Sequence, residues 1–273
     1  MKKFFVVSDV HSFYNELEKA LNNAGFDKDN KDHIFVSCGD LLDRGPDSLK
    51  CLEFVNSLQD DRKILIFGNH EELLQEAIYR GFFRSHDYYN HTNETVYQLT
   101  GINPDIENSN YYIDRTALLD MRTNELWGEY RTKLINYYET NKYIFVHGWI
   151  PTKKEFYTYI DKSTNLNKVD QKMVYDKNWR YDVASWDEAR WLNGMAMWKL
   201  GVKEPGKTII CGHWHSSYGH AHFHNDGREF EKNEMGDIIS NHKPFYDAGI
   251  IALDSCVSYS GFINCIVLEV EDE

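Results

Sequence analysis

The sequence predicts an α/β fold, and three observations carry that expectation. Short apolar runs rich in β-branched and aromatic residues recur along the 273 residues. Segments with helical periodicity separate the first three runs. A cluster of Asp, His or Asn follows five of the runs, beside glycine in four of them. Continuously apolar runs read as strands buried on both faces. Strand–helix–strand alternation implies right-handed βαβ units and a largely parallel start to the sheet.

The elements follow in order. Lys3 to Ser8 is the first strand, and Phe13, Leu17, Ala20 and Leu21 then recur at helical spacing. His33 to Cys38 is the second strand, followed by a helix whose apolar positions are Leu49, Leu52, Phe54, Val55 and Leu58. Lys63 to Phe67 is the third, and Tyr143 to His147 and Lys207 to Cys211 are the next two. Gly249 to Leu253 and Asn264 to Val270, joined through Ser258-Tyr259-Ser260-Gly261, read as an antiparallel pair. Residues 81–141 interrupt this rhythm with a Tyr-, Asn- and charge-rich segment and a predicted helix from Thr123 to about Tyr138. Residues 151–200 interrupt it again, with Trp179, Trp186, Trp191 and Trp198. Both read as accessory, largely helical insertions over the sheet. No repeat, low-complexity tract or Pro/Gly-rich linker divides the chain, so residues 1–273 are expected to form a single domain carrying these insertions.

Charge narrows the partners. The chain has 30 basic against 43 acidic side chains, a net −13, which disfavours long nucleic acids and anionic membranes but permits a local cationic pocket. The apolar run after Met1-Lys2-Lys3 stops at Ser8-Asp9, short of the ~7–15 residues of a signal core. No stretch approaches the ~20 apolar residues of a membrane span. Cys38, Cys51, Cys211, Cys256 and Cys265 are scattered without a Cys-x-x-Cys and read as reduced core thiols. A cytoplasmic location is expected, and the oligomeric state is open.

The strand ends carry the chemistry. Asp9-x-His11 follows the first strand, Gly39-Asp40-x-x-Asp43-Arg44-Gly45 the second and Gly68-Asn69-His70-Glu71 the third. The fourth ends at His147-Gly148 and the fifth at Gly212-His213-Trp214-His215. In open α/β sheets the carboxyl ends of strands converge on one crevice. Carboxylate and imidazole without thiolate suit Mn, Fe or Zn, with Ni or Co also compatible. Singly, each motif has a plain explanation: Asp-x-His arises by chance, Asn69 could cap a helix, and His213 and His215 could be solvated loop residues. Jointly, five motifs at strand ends, with two equal intervals of 29 positions from His11 to Asp40 to Asn69, point to a metal centre.

These motifs resemble those of the calcineurin-like metallophosphoesterases, and GDLLDRG (39–45) with GNHE (68–71) resembles the branch containing Ser/Thr protein phosphatases. The resemblance spans residues 3 to 270 apart from the two insertions. It implies a four-layer α/β/β/α sandwich with mixed sheets and helical insertions. It also implies two divalent metal ions, manganese foremost, about 3.5 Å apart on a bridging carboxylate. By resemblance, Asp9, His11, Asp40 and His215 hold the first metal, and Asp40, Asn69, His147 and His213 the second. Asp43 and His70 form the acid pair and Arg44 clamps phosphate. The expected reaction is hydrolysis of phosphate monoesters by in-line attack of a metal-bridging hydroxide, with Ser/Thr phosphoproteins among the candidate substrates. The alternatives are a nucleotide or dinucleoside polyphosphate hydrolase and, from another class, a silent scaffold binding phosphorylated ligands.

The sequence departs from the branch in three places. Phe67 stands where these phosphatases carry Arg, Asp254-Ser255-Cys256 and Tyr259-Ser260-Gly261 replace a Ser-Ala-Pro-Asn-Tyr-like motif, and His215 belongs to the wider superfamily. These departures weigh against a phosphoprotein substrate in particular. His220-x-His222-x-His224 would put three imidazoles on one face if extended, read as a solvated or substrate-side strand before a third metal site. The tryptophans read as core packing under the insertion before a nucleobase platform.

Overall fold

A computed structural model describes residues 1–102, 111–161, 163 and 167–271. Two five-stranded mixed sheets dominate it. The first uses β1 (Lys2–Val7), β2 (His33–Ser37), β3 (Lys63–Ile66), β4 (Leu134–Ile135) and the C-terminal Ile266–Val270 strand, which pairs antiparallel with β1; β1 to β4 run parallel. The second contains β5 (Tyr138–Glu139), β6 (Tyr143–Phe145), a parallel partner at Thr208–Cys211, then Ile250–Ala252 and Phe245–Asp247.

Strand alternation explains the layering. Phe4 and Val6 point between the sheets and meet Ile34, Val36, Phe145, Ile210 and Ile251. Their neighbours Phe5 and Val7 point outward into a core shared with helix α1 (Tyr14–Ala24) and α2 (Ser48–Ser57) through Leu17, Leu21, Leu52 and Val55. On the second sheet, Ile144, Val146, Ile209 and Cys211 face outward onto Trp149, Trp179, Trp186 and Phe245. Both faces of each sheet are covered, which is why the strands are apolar throughout. The result is the α/β/β/α sandwich.

Three expectations need correction. The last two strand-like runs do not pair with each other: Ile250–Ala252 lies parallel to Thr208–Cys211, while Ile266–Val270 crosses to β1 in the other sheet. A run apolar on both faces carries no signature of which sheet it joins. The helix expected over 123–138 spans only Glu125–Arg131, capped by the Asn124 side chain, which accepts the Trp127 N–H at 2.9 Å. Pairing of Leu134–Ile135 with Leu65–Ile66, and of Tyr138–Glu139 with β6, draws the rest into the sheets. Finally, 151–200 is not largely helical. It opens with a hairpin, β7 (Thr152–Ile160) and β8 (Asn167–Tyr175), where Phe156, Thr158 and Ile160 share one face and Glu155, Tyr157 and Tyr159 the other; only Trp186–Ala189 and Gly194–Lys199 are helical thereafter, besides one 3-10 turn.

The described residues of segment 81–141 are largely helical up to Arg131, through Ser85–Tyr89, Thr92–Thr100, Tyr111–Met121 and Glu125–Arg131. The segment is no mere cover, because Val96, Leu99, Leu118, Met121, Trp127 and Tyr130 are buried in the same core as Phe5 and Val7. Cys38, Cys51 and Cys211 are buried, and all five cysteines are free. Among the described residues no helix is long and apolar enough to cross a membrane.

Candidate metal centre

The loops leaving β1, β2, β3, β6 and Thr208–Cys211 meet at one end of the sandwich. Backbone bonds tie them together: Asp9 N–H to Gly39 O (3.1 Å), His11 N–H to Asp40 O (3.0 Å) and Gly212 N–H to His147 O (2.8 Å). Among the described residues ten non-glycines adopt positive φ, and seven of them (Asp9, His11, Ser12, Asp40, Asp43, Arg44 and His213, φ 49–71°) belong to these loops. Left-handed backbone is disfavoured for L-residues and persists where surrounding structure enforces it. Gly68 is required on different grounds: a Cβ there would collide with the Asp40 and Glu71 carboxylates.

Two groups of donor atoms, His11–Asp40–His70 and Asp40–His147–His213, each lie within 4.8 Å of one another and share Asp40. The imidazoles are oriented from behind. His147 Nδ1 donates to the Cys38 carbonyl at 2.8 Å, and His11 Nδ1 to that of Leu42 at 3.1 Å. The His213 ring packs on that of Trp191 at 5.8 Å between centroids. Fixing one ring nitrogen on a carbonyl aims the other as a metal ligand. His147 Nε2 consequently faces two oxygens, Asn69 Oδ1 at 2.7 Å and Asp40 Oδ1 at 3.3 Å. A lone pair facing two acceptors requires a proton or a cation between them. Without metal it is a proton: burial opposes the charge, but Asp40 and Asp9 outweigh it and lift His147 to about 10.

The carboxylates carry the same demand. Burial pushes Asp9 well above the usual range, and Asp254 and Asp40 push it further. Burial likewise raises Asp254. Asp40 ends well below that range, because His147, His70 and His11 together outweigh its burial. Burial, His70 and Arg44 push His11 down, and burial with His147 lowers His213 to about 3, so these rings are neutral, each with one nitrogen lone pair to offer. Three buried acids beside neutral imidazoles form a donor set that fits divalent cations.

Beside this centre His70 Nδ1 bonds Asp43 Oδ2 at 2.9 Å, and Arg44 donates to His70 Nε2 at 3.2 Å. Burial opposes charge on His70, but Asp40 and Asp43 overcome it and raise the ring. Asp43 is completed by residues from segment 81–141: Thr92 Oγ1 donates to Oδ2 and Thr95 Oγ1 to Oδ1, both at 2.7 Å. Glu71 is a second brace. Its carboxylate accepts the backbone N–H groups of Asp40 (3.0 Å), Gly68 (3.0 Å) and Leu41 (2.8 Å), and the Tyr130 hydroxyl at 3.2 Å.

Of the residues expected from sequence, the structure brings His11, Asp40, His70, His147 and His213 into the two groups, with Asn69 on His147 and Asp43 and Arg44 on His70. Asp9 lies buried beside Asp40, its carboxylate accepting the His213 backbone N–H at 3.0 and 3.1 Å. His215 stands outside both groups, bonded to Ser217 Oγ at 3.0 Å and packed on Phe230. The 220–224 histidines are not extended. They lie on and just beyond the helix Ser216–Phe223, and each has its own partner: Lys243 O for His220, Glu229 for His222 and Asp247 for His224. Sequence reasoning missed Glu71 as a brace, Asp254, Thr92, Thr95 and Tyr130. Asp254 had a signal, since it ends a strand like the other acids; the threonines and tyrosine had none, because their role depends on where the inserted helices pack.

These are two candidate ligand groups on a shared carboxylate, and residues 2–244 match the calcineurin-like phosphoesterases. The chain belongs to that family. A symmetrical bis(5'-nucleosyl)-tetraphosphatase from Psychromonas ingrahamii is 47% identical over 77 residues, 28% of this chain and 26% of that one. A serine/threonine-protein phosphatase 1 from Salmonella typhimurium is 40% identical over 73 residues, 27% of this chain and 32% of that one. This calcineurin-like chain thus spans about a quarter to a third of the length of these curated relatives. A solved cold-active protein tyrosine phosphatase aligns at TM-score 0.52 with 15% identity, covering 98% of this chain and 74% of that one, a likeness of fold.

Proposed function

We propose that this chain is a metal-dependent phosphohydrolase acting on dinucleoside polyphosphates. The observation that carries hydrolysis is Asp40 shared between two donor groups, with the His70–Asp43 pair and Arg44 at its edge. Divalent cations bound there would supply Lewis-acid polarisation of phosphoryl oxygens and of water. Asp9, His11, Asp40, Asn69, His147 and His213 would hold them, with His215 joining only by turning from Ser217. Arg44 offers a planar fork to phosphate oxygens. As it turns to the substrate it frees His70 Nε2, and a ring anchored through Nδ1 on Asp43 then holds a proton there, which an alkoxide leaving group requires and a departing diphosphate does not.

The choice of substrate is supported by the similarity to symmetrical tetraphosphatases and by Phe67 in place of the phosphoprotein-phosphatase arginine. A net −13 surface around a cationic pocket also suits a small polyanion better than a long one. The similarity to the Salmonella phosphatase sustains a second reading, phosphoprotein hydrolysis.

The test is a panel of diadenosine tetraphosphate, mononucleotides, phosphopeptides and p-nitrophenyl phosphate assayed with Mn²⁺. The expected result is highest kcat/KM for diadenosine tetraphosphate, released as two nucleoside diphosphates, with Asp40→Asn inactive on every substrate. Preference for phosphopeptides would replace this reading with the second, and near-normal turnover by Asp40→Asn would break the shared-carboxylate model. His70→Asn should lose most on alkyl phosphates and least on the anhydride, whose departing diphosphate needs no proton.

A further inference from the structure

Of the four tryptophans grouped by sequence, three are accounted for by packing. Trp179 and Trp186 are buried against Tyr137, and the Trp198 indole donates to the Ala248 carbonyl at 3.0 Å while packing on Phe245. Trp191 differs: its side chain is 46% exposed. It is nevertheless fixed in place. Its ring meets that of His213 at 5.8 Å and 85°. Its indole N–H donates to Glu72 Oε2 at 3.3 Å, while buried Arg190 grips Glu72 Oε1 at 2.9 Å.

An indole this large with nearly half its surface in water offers aromatic area to a ligand. Burial alone does not account for its position, since nearly half of the residue remains in water while its N–H is held by Glu72. It stands against a histidine of the Asp40–His147–His213 group, where the substrate phosphate would sit. Arg190, the neighbouring cation, is engaged by Glu72, Asp187 and Asn136, so this rim offers a flat π surface rather than a charge. The ligand chemistry that matches is a planar aromatic group attached to phosphate.

We propose that Trp191 is a nucleobase-stacking platform that holds one base of the substrate while its phosphate occupies the metal centre. This rests on the dinucleoside polyphosphate reading and adds a specificity-determining residue to it. Stacking of one base on one side chain corresponds to about a tenfold effect or more on binding.

The experiment compares wild type, Trp191→Ala and Trp191→Phe with diadenosine tetraphosphate and with inorganic tripolyphosphate, which has no base. For Trp191→Ala the KM for diadenosine tetraphosphate should rise about tenfold more than that for tripolyphosphate, with Trp191→Phe recovering most of the difference. Equal KM changes for the two substrates would overturn the platform. A second arm reads binding without turnover: ADP should quench the tryptophan emission of wild type, and most of that quenching should vanish in Trp191→Phe. If wild type fails to cleave diadenosine tetraphosphate yet this quenching holds, the substrate reading fails and the platform stands. If ADP gives no Trp191-dependent quenching, or a phosphotyrosine peptide gives it and ADP does not, the platform fails.

Discussion

The helices between Ser85 and Arg131 and the hairpin Thr152–Tyr175 both break the strand–helix rhythm, yet they stand in opposite relations to the site. The helices bury Val96, Leu99, Leu118 and Trp127 in the principal core and send Thr92, Thr95 and Tyr130 to the braces of Asp43 and Glu71. The hairpin turns one apolar face to water, with Phe156, Ile160 and Val169 exposed by 70, 62 and 69%. Its other face is occupied by pairs such as Glu155–Lys172 and Tyr157–Asp170. Interruption of a pattern in sequence therefore says nothing about integration. What separates the two segments is whether their apolar residues recur at a spacing that can enter an existing core.

Four perturbations would break or sharpen this contrast. The largest effect is expected from Thr92→Val with Thr95→Val, which strips Asp43 of both hydroxyl donors. Turnover of alkyl phosphates should fall roughly 10–100-fold, the usual loss for such outer partners, with each Thr→Ser change recovering most of it. Undiminished kcat would show that the helices only cover the site. Next, Tyr130→Phe removes one donor from a buried carboxylate and should cost about 1–3 kcal/mol of stability, read by denaturant titration, together with weaker metal binding read by calorimetry.

A smaller effect is expected where the segment ending at Glu139 meets residues 151–200. Arg180 bonds Glu139 Oε2 at 2.7 Å, and Lys207 adds a second cation at 2.7 Å. Arg180 and Lys207 hold the Glu139 carboxyl down at about 2. A depressed folded-state value gives stability that is present above the unfolded carboxylate range, about 4.3, and lost as pH falls toward 2. Glu139→Gln should therefore melt lower than wild type at pH 6 and approach it at pH 2.5. A constant gap would refute the linkage. The smallest effect is expected from replacing residues 153–174 by a short Gly-Ser turn. Among the described residues the hairpin's ion pairs to the rest of the chain are Lys153–Asp176 and Lys154–Glu188, both with an exposed lysine, so turnover should stay within about twofold and stability within about 1 kcal/mol.

The strands were legible because burial on both faces leaves continuous apolar runs, and the metal-ligand candidates because each follows such a run directly. Residues such as Asp9, Asp40 and His147 need only the strand rule to be found. Thr92, Thr95 and Tyr130 act from some 50 to 60 positions away through packed helices, and nothing local marks them. Phe156, Thr158 and Ile160 did carry the two-residue period of a strand, but the tryptophans downstream drew the whole segment toward a helical reading. Pairing of Leu134–Ile135 with β3 is tertiary, and two residues are too few to announce it.

The left-handed loops have a thermodynamic corollary. Seven non-glycine residues held at positive φ each oppose folding by about 1 kcal/mol or more, against a net stability of only about 5–15 kcal/mol for an ordinary domain. The site is thus a liability to the fold that carries it. Replacing Asp9 by Gly, which adopts that backbone freely and removes an acid that burial pushes well above its usual range, should give a protein that resists heat better than the native chain while holding metal less well. Thermal stability and metal binding would then be opposing selections acting on the same few dihedral angles.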